Sequence, residues 1–165
     1  MSKAPMLLMI LDGWGTRAAC ADNAVTLADP ANFYNLKAAY PNTQLDCSGN
    51  AVGLPHGQMG NSEVGHLNMG AGRIVFQEIT RISQAIEDGS FFTNQEYLQA
   101  LQSARHNNGA VHLMGLVSDG GVHSDLNHVY ALLDLCKMQN ISRVFVHAFL
   151  DGRDVAPQSA MTYIN

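Results

Sequence analysis

The segment from Ala110 to Leu150 constrains the fold most strongly, because two apolar runs flank one amphipathic stretch. The runs Ala110–Val117 and Arg143–Leu150 have the length and composition of buried strands. Between them, Asp125 is placed to cap a helix over Leu126–Met138. Strand, helix and strand of these lengths predict a βαβ crossover with parallel strands. The sequence therefore predicts an α/β fold with mostly parallel sheets and flanking helices.

A polar loop that contains glycine follows each of these strands. The first loop carries His123, and the second carries Arg153 and Asp154. Because parallel strands end at the same edge of a sheet, we expect the three side chains to converge there. His123 can bind phosphate or donate a proton, and Arg153 offers a planar fork for an anion. Asp154 is either a general base or simply the ion-pair partner of Arg153. For each of the three residues taken alone, a solvated side chain without a function is the alternative, because polar loop residues are mostly solvated.

A third apolar run, Met6–Leu11, is also predicted to be a strand buried on both faces. Asp12 follows it directly and is expected at the carboxyl end of the strand, where open α/β sheets place their sites. The alternative is that Asp12 and Gly13 only form a turn. Thr43–Cys47 is predicted to be a further short strand.

An irregular stretch from 48 to 61 leads to Ser62, at the start of a short apolar-periodic run. Asn61 is the predicted helix N-cap, and Gly70 is predicted just past the helix end. The oxygen of Ser62 is then expected beside free backbone N–H groups, at a helix terminus that attracts anions such as phosphate. The alternative is a serine that only caps the helix. No histidine partner is assigned to Ser62.

Four further helices are predicted from apolar periodicity and end signals. They are a helix capped by Asp29 with Pro30 at its first position, helices over Gln77–Asp88 and Asn94–Asn107, and a last one beginning at Pro157.

Charge and composition narrow the classes of partner. The net charge of −5 argues against nucleic acid, and no apolar run approaches the ~20 residues that span a membrane. The apolar N-terminal run is too short for a signal peptide. Three scattered cysteines without a CxxC pattern favour free thiols in a reducing compartment. We therefore expect a cytoplasmic protein that binds neither nucleic acid nor membrane.

Four short motifs contain the residues singled out above. They are Leu11–Gly15, Gln58–His66, Gly120–Ser124 and Phe149–Asp154. Together, and in this order, they resemble the cofactor-independent (2,3-bisphosphoglycerate-independent) phosphoglycerate mutases of the alkaline phosphatase superfamily. The similarity runs from about Met6 to the last residue. It implies a glycolytic isomerase that interconverts 3-phosphoglycerate and 2-phosphoglycerate through a phosphoserine and depends on a divalent metal.

The resemblance also implies roles for individual residues. Ser62 would be the nucleophile, and Asp12 and Ser62 would both contact a divalent metal. That metal is usually manganese, with two ions in the full-length family, and magnesium, zinc or cobalt are alternatives. His123, Arg153 and Asp154 would bind the substrate. Asp154 would also be the base that moves a proton between the two glycerate hydroxyls.

The chain departs from the family in length. The family is much longer, and most of its metal ligands, further substrate arginines and a catalytic lysine lie beyond Asn165. Its phosphatase domain is interrupted by an inserted phosphotransferase domain, and the composition of this chain changes near Arg73. We therefore predict that residues 1–76 begin the phosphatase-like domain and residues 77–165 begin the inserted one. On this interpretation the chain alone is nearly inactive, and the full-length protein is a monomer.

Two alternatives stay open. The pair of Asp12 and Ser62 also fits another metal-dependent phosphatase or a phosphopentomutase of the same superfamily, although the later loops favour glycerate. The missing ligands, in turn, fit a non-catalytic fragment that binds phosphate weakly or only assists assembly.

Overall fold

The computed structural model describes residues 4–164, which form seven α-helices and one two-stranded sheet. The elements in chain order are α1 (Ala24–Leu27), α2 (Ala31–Ala39), α3 (Ser62–Ala71), α4 (Glu78–Glu87), α5 (Gln95–His106), β1 (Val111–Leu116), α6 (Leu126–Met138), β2 (Val144–Phe149) and α7 (Ala160–Ile164). Short 3₁₀ turns lie at Gly49–Val52 and Ser90–Thr93. Within these residues, no helix is both long and apolar enough to cross a bilayer.

The βαβ unit is present as the sequence predicts. β1 and β2 are parallel, in a register that pairs Val111 with Val144. The connecting helix α6 has the predicted bounds, and its N-cap is Asp125, whose Oδ1 accepts a hydrogen bond from Asn127 N at 2.8 Å. The predicted α/β fold class is confirmed.

Residues of α4, α5 and α6 pack together and against Val111 and Val144, the first residues of β1 and β2, to form the larger core. Its buried residues are Phe91, Leu101, Ala131, Leu135 and Cys136. The predicted helices over Gln77–Asp88 and Asn94–Asn107 are confirmed with minor trimming at their ends. This core therefore contacts the amino ends of the strands, and the loops at their carboxyl ends lie outside it.

Leu135 is the most deeply buried side chain of α6, at 1% exposure. We expect Leu135→Ala to lower the free energy of unfolding by about 2–5 kcal/mol, because the lost methyl groups leave a cavity. Urea unfolding followed by circular dichroism measures this. The control is Met138→Ala on the same helix, where 59% exposure predicts a change within about 0.5 kcal/mol. Equal losses in the two variants would contradict the placement of the core.

The predicted strand over Met6–Leu11 is wrong for this structure. The segment has no regular secondary structure, and its side chains are 41% to 96% exposed. Thr43–Cys47 likewise forms no strand. A strand requires a neighbour for its backbone hydrogen bonds. Among residues 4–164, the only paired strands are β1 and β2, so neither segment has a strand partner there.

Two helix starts also differ from the prediction. Asp29 has a φ of 44°, so it cannot supply the extended backbone of an N-cap, and Pro30 is the N-cap of α2 instead. Near the end of the chain, Gln158 has a φ of 67° and interrupts any helix beginning at Pro157. The last helix therefore begins at Ala160.

Helix α3 extends further than predicted. Gly70 lies inside the helix, and the left-handed C-cap is Gly72, with a φ of 65°. Its N–H donates to Asn68 O at 3.0 Å, which closes the last turn. The predicted end at Gly70 is therefore wrong by two residues, and Gly72 ends the helix.

Hydrogen bonds cross the predicted domain boundary between residues 76 and 77. Gly53 O accepts from Gln77 N and from the Thr80 hydroxyl, both at 2.9 Å. The loop before α3 is thus attached to the first turn of α4. The division at this point stays a prediction.

Candidate active site

Ser62 is the first residue of α3, as the sequence predicts. Asn61 is the N-cap, since its Oδ1 accepts a hydrogen bond from Val64 N at 3.0 Å. Val64 is buried and packs with Val52 and Leu54 in a second small core. The helix terminus that carries the hydroxyl is therefore fixed by both a cap and an apolar anchor.

The Ser62 hydroxyl donates a hydrogen bond to Asp12 Oδ2 at 2.8 Å, across 50 positions of sequence. Both side chains are exposed, and they line a cleft of about 510 Å³. Asp12 and Ser62 were predicted to act together, and the structure brings them into direct contact.

The loop that presents Asp12 is a tight turn. Gly13 has a φ of 76°, and Trp14 N donates to Leu11 O at 3.1 Å. The Trp14 ring packs on Phe33 of α2, with ring centroids 5.0 Å apart. The sequence left two alternatives for Asp12, a residue that only forms a turn with Gly13 or a residue of a site. In the structure both hold, because the turn places the Asp12 carboxylate against the Ser62 hydroxyl.

His66 was given no role from the sequence, yet it lies beside the serine. Its Nδ1 is 3.2 Å from Ser62 Oγ and 2.8 Å from Ser62 O. Residues four apart share a helix face, so the spacing from Ser62 contained the signal. The sequence analysis assigned no histidine partner to Ser62 and so missed His66.

Gly60 allows the backbone before α3 to approach a neighbouring segment closely. A Cβ atom at this position would lie 1.7 Å from Cys47 O. Only glycine permits such an approach between two stretches of backbone. The contact fixes the position of the loop that delivers Ser62.

A second group of polar residues lies at the carboxyl ends of β1 and β2. The Ser118 hydroxyl donates to Asp151 Oδ2 at 2.7 Å, and the two residues are 1% and 8% exposed. Asp151 Oδ1 also accepts from the backbone N–H groups of Arg153 and Asp154, at 3.0 and 3.1 Å. The buried carboxylate therefore joins the two strand ends and shapes the loop with the predicted substrate residues.

The two loops leave the same edge of the sheet and touch each other. A Cβ atom at Gly120 would lie 2.9 Å from Asp154 Cβ, so the loop with His123 lies against Asp154. Asp154 is half-buried, whereas His123 and Arg153 are exposed. Parallel strands predict this shared edge.

The hydrogen bonds to Asp151 stabilise its charged form. The Ser118 hydroxyl, followed by the N–H groups of Arg153 and Asp154, lowers the pKa of Asp151 to about 2. Asp151 appeared in the sequence only as part of a motif. Its position directly after a predicted strand, like that of Asp12, was the available signal.

We expect Asp151→Asn to destabilise the protein near neutral pH and to lose this effect in acid. A lowered folded-state pKa adds stability above the ordinary value of 3.8, and this stability is lost as pH falls toward about 2. Urea unfolding from pH 6 downward measures the difference in free energy of unfolding between the variant and the parent chain. That difference should shrink as the pH falls from 3.8 toward about 2. The exposed control Asp134→Asn should show no such pH-dependent difference. A pH-independent difference would contradict the role of the ionised carboxylate.

The two groups of residues do not line one cleft. The cleft at Ser62 is formed by residues from 10–15, 47–48 and 59–69, and neither strand-end loop contributes to it. Among the described residues, the structure thus contains two partial sites. It does not bring His123, Arg153 and Asp154 to Ser62.

The donor atoms at Asp12 and Ser62 suit a divalent cation in chemical type. Carboxylate and hydroxyl oxygens are ligands for hard cations such as magnesium and manganese. Within residues 4–164, however, no cluster of three or more His, Cys, Asp or Glu side chains is placed to hold a metal ion. The residues therefore fit two positions of a coordination shell that needs about six.

Comparison with known proteins identifies the family. The family model described as BPG-independent PGAM N-terminus matches residues 82–165, just over half of the chain. A 2,3-bisphosphoglycerate-independent phosphoglycerate mutase of Moorella thermoacetica is 61% identical over 160 residues, which are 97% of this chain and 31% of that protein. The enzyme of the same name from Clostridium perfringens is 55% identical over 99% of this chain and 32% of its own length.

A solved structure agrees with the sequence comparisons. The crystal structure of Leishmania mexicana phosphoglycerate mutase at low cobalt concentration superposes with a TM-score of 0.59 and 40% identity. The match covers 73% of this chain and 22% of that one. The chain spans about a third of the length of the curated relatives that it matches. The sequence identities, the match to the family model and the superposed fold agree. The chain therefore belongs to the family of 2,3-bisphosphoglycerate-independent phosphoglycerate mutases.

Proposed function

We propose that this chain supplies the nucleophile and part of the substrate site of an enzyme that interconverts 3-phosphoglycerate and 2-phosphoglycerate. The observation that carries the proposal is the contact between Ser62 Oγ and Asp12 Oδ2, at the N-terminus of α3 and inside a cleft. The relatives' names supply the substrate class. A cytoplasmic, monomeric full-length enzyme is part of the same proposal.

In the first half-reaction, Ser62 Oγ attacks the phosphorus atom of the substrate. A bond forms between Oγ and phosphorus, and the bond from phosphorus to the glycerate oxygen breaks. The serine proton passes to Asp12, which already accepts it in a hydrogen bond. The departing glycerate oxygen takes a proton from the Asp154 carboxyl, which regains one from the other glycerate hydroxyl in the second half-reaction. The N-terminal amides of α3 favour the negative charge of the phosphoryl group. The second half-reaction reverses these steps at the other hydroxyl.

A divalent cation, manganese by the family resemblance, would be held by Asp12 and Ser62 together with donors outside residues 4–164. When bound, it supplies positive charge that stabilises the phosphoryl oxygens during transfer.

The strand-end loops are proposed to hold the glycerate. Arg153 provides a bidentate donor for a carboxylate or phosphate, and His123 provides a second donor. Asp154 acts as the base that takes a proton from one glycerate hydroxyl and returns it to the other. Its half-buried position beside Gly120 limits its movement during this exchange.

Both groups of residues must contact the same substrate for the transfer to occur. They line different surfaces of the described chain, so we propose that they approach each other when substrate binds. Reacting atoms need to come within about 3–3.5 Å. The junction at Gly53, Gln77 and Thr80, which connects the two segments, is where such a movement would be accommodated.

A chimera tests the proposal directly. This chain replaces the aligned 160 residues of the Moorella thermoacetica relative, and conversion of 3-phosphoglycerate to 2-phosphoglycerate is measured with manganese present. We expect mutase activity in the chimera and almost none in the isolated chain. Transfer on pentose phosphates, or release of free phosphate, without glycerate turnover would instead support the phosphopentomutase or phosphatase alternative. A folded chimera without any of these activities would support the non-catalytic fragment.

A further inference from the structure

The polar residues at the carboxyl ends of β1 and β2 form a closed circuit of contacts. Gly120 N donates to Ser118 Oγ at 3.4 Å, and the Ser118 hydroxyl donates to Asp151 Oδ2 at 2.7 Å. The other carboxylate oxygen, Asp151 Oδ1, accepts from Asp154 N at 3.1 Å. The circuit closes where Asp154 packs on Gly120, since a Cβ atom at Gly120 would lie 2.9 Å from Asp154 Cβ. Asp154 is therefore held by both loops.

Asp151 and Ser118 are enclosed by protein and do not face a ligand. Ser118 is 1% exposed and Asp151 is 8% exposed. Each carboxylate oxygen of Asp151 accepts from a protein donor, Oδ2 from Ser118 and Oδ1 from the N–H groups of Arg153 and Asp154. Such hydrogen bonds to a charged acceptor are short and strong. Asp151 therefore acts on the backbone of the loop that follows it.

We propose that Asp151, anchored by Ser118, is a positioning residue for Asp154. It fixes the backbone of Asp154, so that the carboxyl that exchanges protons with the glycerate oxygens stays in place. Such groups have to be held to within about 0.5 Å, and the short side chain of Asp154 cannot compensate for a displaced backbone. The longer side chain of Arg153 can. This inference rests on the proposed function, in which Asp154 is the base.

Two substitutions of Asp151 measure this role in the chimera. Asp151→Ala removes both acceptor oxygens, so we expect kcat to fall about 10²-fold, the cost of a 1 Å displacement near the reacting atoms, with a smaller rise in KM. Asparagine keeps one oxygen for the two N–H groups and has an amide that can donate to Ser118 Oγ. Asp151→Asn, measured where circular dichroism shows it to be folded, should therefore recover most of the loss in kcat. An unchanged kcat in Asp151→Ala, or an Asp151→Asn variant as slow as Asp151→Ala, would overturn the proposal.

Two comparisons separate positioning from a general loss of stability. Leu135→Ala weakens the core away from the strand-end loops, so the folded variant should keep the kcat of the parent. Asp151→Ala should cause little further loss of kcat in an Asp154→Asn chimera, because the group that it positions is already absent. A loss in Leu135→Ala as large as that in Asp151→Ala would overturn the proposal. So would an equal effect of Asp151→Ala with and without Asp154→Asn.

Gly120→Ala moves Asp154 without removing a hydrogen-bonding group of Asp151, and it carries the test if Asp151→Ala does not fold. Its added Cβ would meet Asp154 Cβ at 2.9 Å, so we expect kcat to fall about 10-fold. Gly115→Ala is the matched control, because nothing lies within 4 Å of a Cβ at that position in β1. Equal kcat in the two glycine variants would contradict the placement of Asp154 by this circuit.

Amide hydrogen exchange on the isolated chain tests the contacts without any turnover. The amide protons of Arg153 and Asp154 are followed by NMR, because exchange reports the opening of their hydrogen bonds to Asp151. We expect exchange about 10-fold faster in Asp151→Ala than in the parent, and close to the parent in Asp151→Asn. Equal exchange in the parent and in Asp151→Ala would overturn the proposal. An inactive parent chimera would instead end the proposed function, and it would leave the exchange result unaffected.

Discussion

Ser62→Ala in the chimera is expected to lower mutase activity by about 10⁴-fold or more, because no other group can take the place of a covalent nucleophile. The helix should survive, since Asn61 provides the side-chain cap and Val64 provides the buried anchor. Steady-state conversion of 3-phosphoglycerate measures the loss. Circular dichroism and urea unfolding confirm that the variant is folded.

Ser142→Ala is the matched control for this experiment. Ser142 is exposed and lies in the loop before β2, away from the cleft, so its removal should leave turnover unchanged. Undiminished activity in a folded Ser62→Ala chimera would end the proposal that Ser62 is the nucleophile. Equal losses in both variants would point to damage in folding and not to lost chemistry.

Gly60→Ala is expected to impair both folding and turnover, although glycine and alanine differ by one methyl group. The added Cβ would lie 1.7 Å from Cys47 O, and a backbone carbonyl cannot rotate away as a side chain does. Either the segment at Cys47 or the loop before Ser62 must move. We expect a loss of about 1–3 kcal/mol in stability from the forced contact. We also expect about a 10²-fold loss in kcat, because a shift of 1 Å at a reacting atom has this cost.

Gly70→Ala is the matched control, because it adds the same methyl group to the following helix. Nothing lies within 4 Å of a Cβ at that position, and alanine favours a helix interior by up to about 1 kcal/mol. Urea unfolding and kcat are measured for both variants. A Gly60→Ala variant as stable and as active as Gly70→Ala would contradict the close approach of Gly60 to Cys47.

Local signals predicted the parts of the fold whose partners are close in sequence. Asp125 and Asn61 act as N-caps because the groups they bind lie two and three residues ahead. The βαβ unit likewise closes within 40 positions, and its strand ends place two polar loops together. These features depend on periodicity and caps, which are properties of short stretches of chain.

Features that depend on distant contacts were not predictable in this way. The apolar run Met6–Leu11 has the composition of a buried strand, but a strand forms only where another strand pairs with its backbone hydrogen-bonding groups. The tight approach of Gly60 to Cys47 and the bond from Ser118 to Asp151 involve segments that the sequence alone does not pair. His66 is a different case, since a search for polar pairs four residues apart would have found it.

The central claim is that Ser62 receives the phosphoryl group, and mapping the phosphate tests it most directly. The chimera is incubated with 3-phosphoglycerate, stopped in acid and digested, and the phosphorylated peptide is identified by mass spectrometry. We predict an acid-stable phosphate on the peptide that contains Ser62, and none in Ser62→Ala. A chimera that turns over substrate while its phosphate lies on another residue, or on none, would contradict the account.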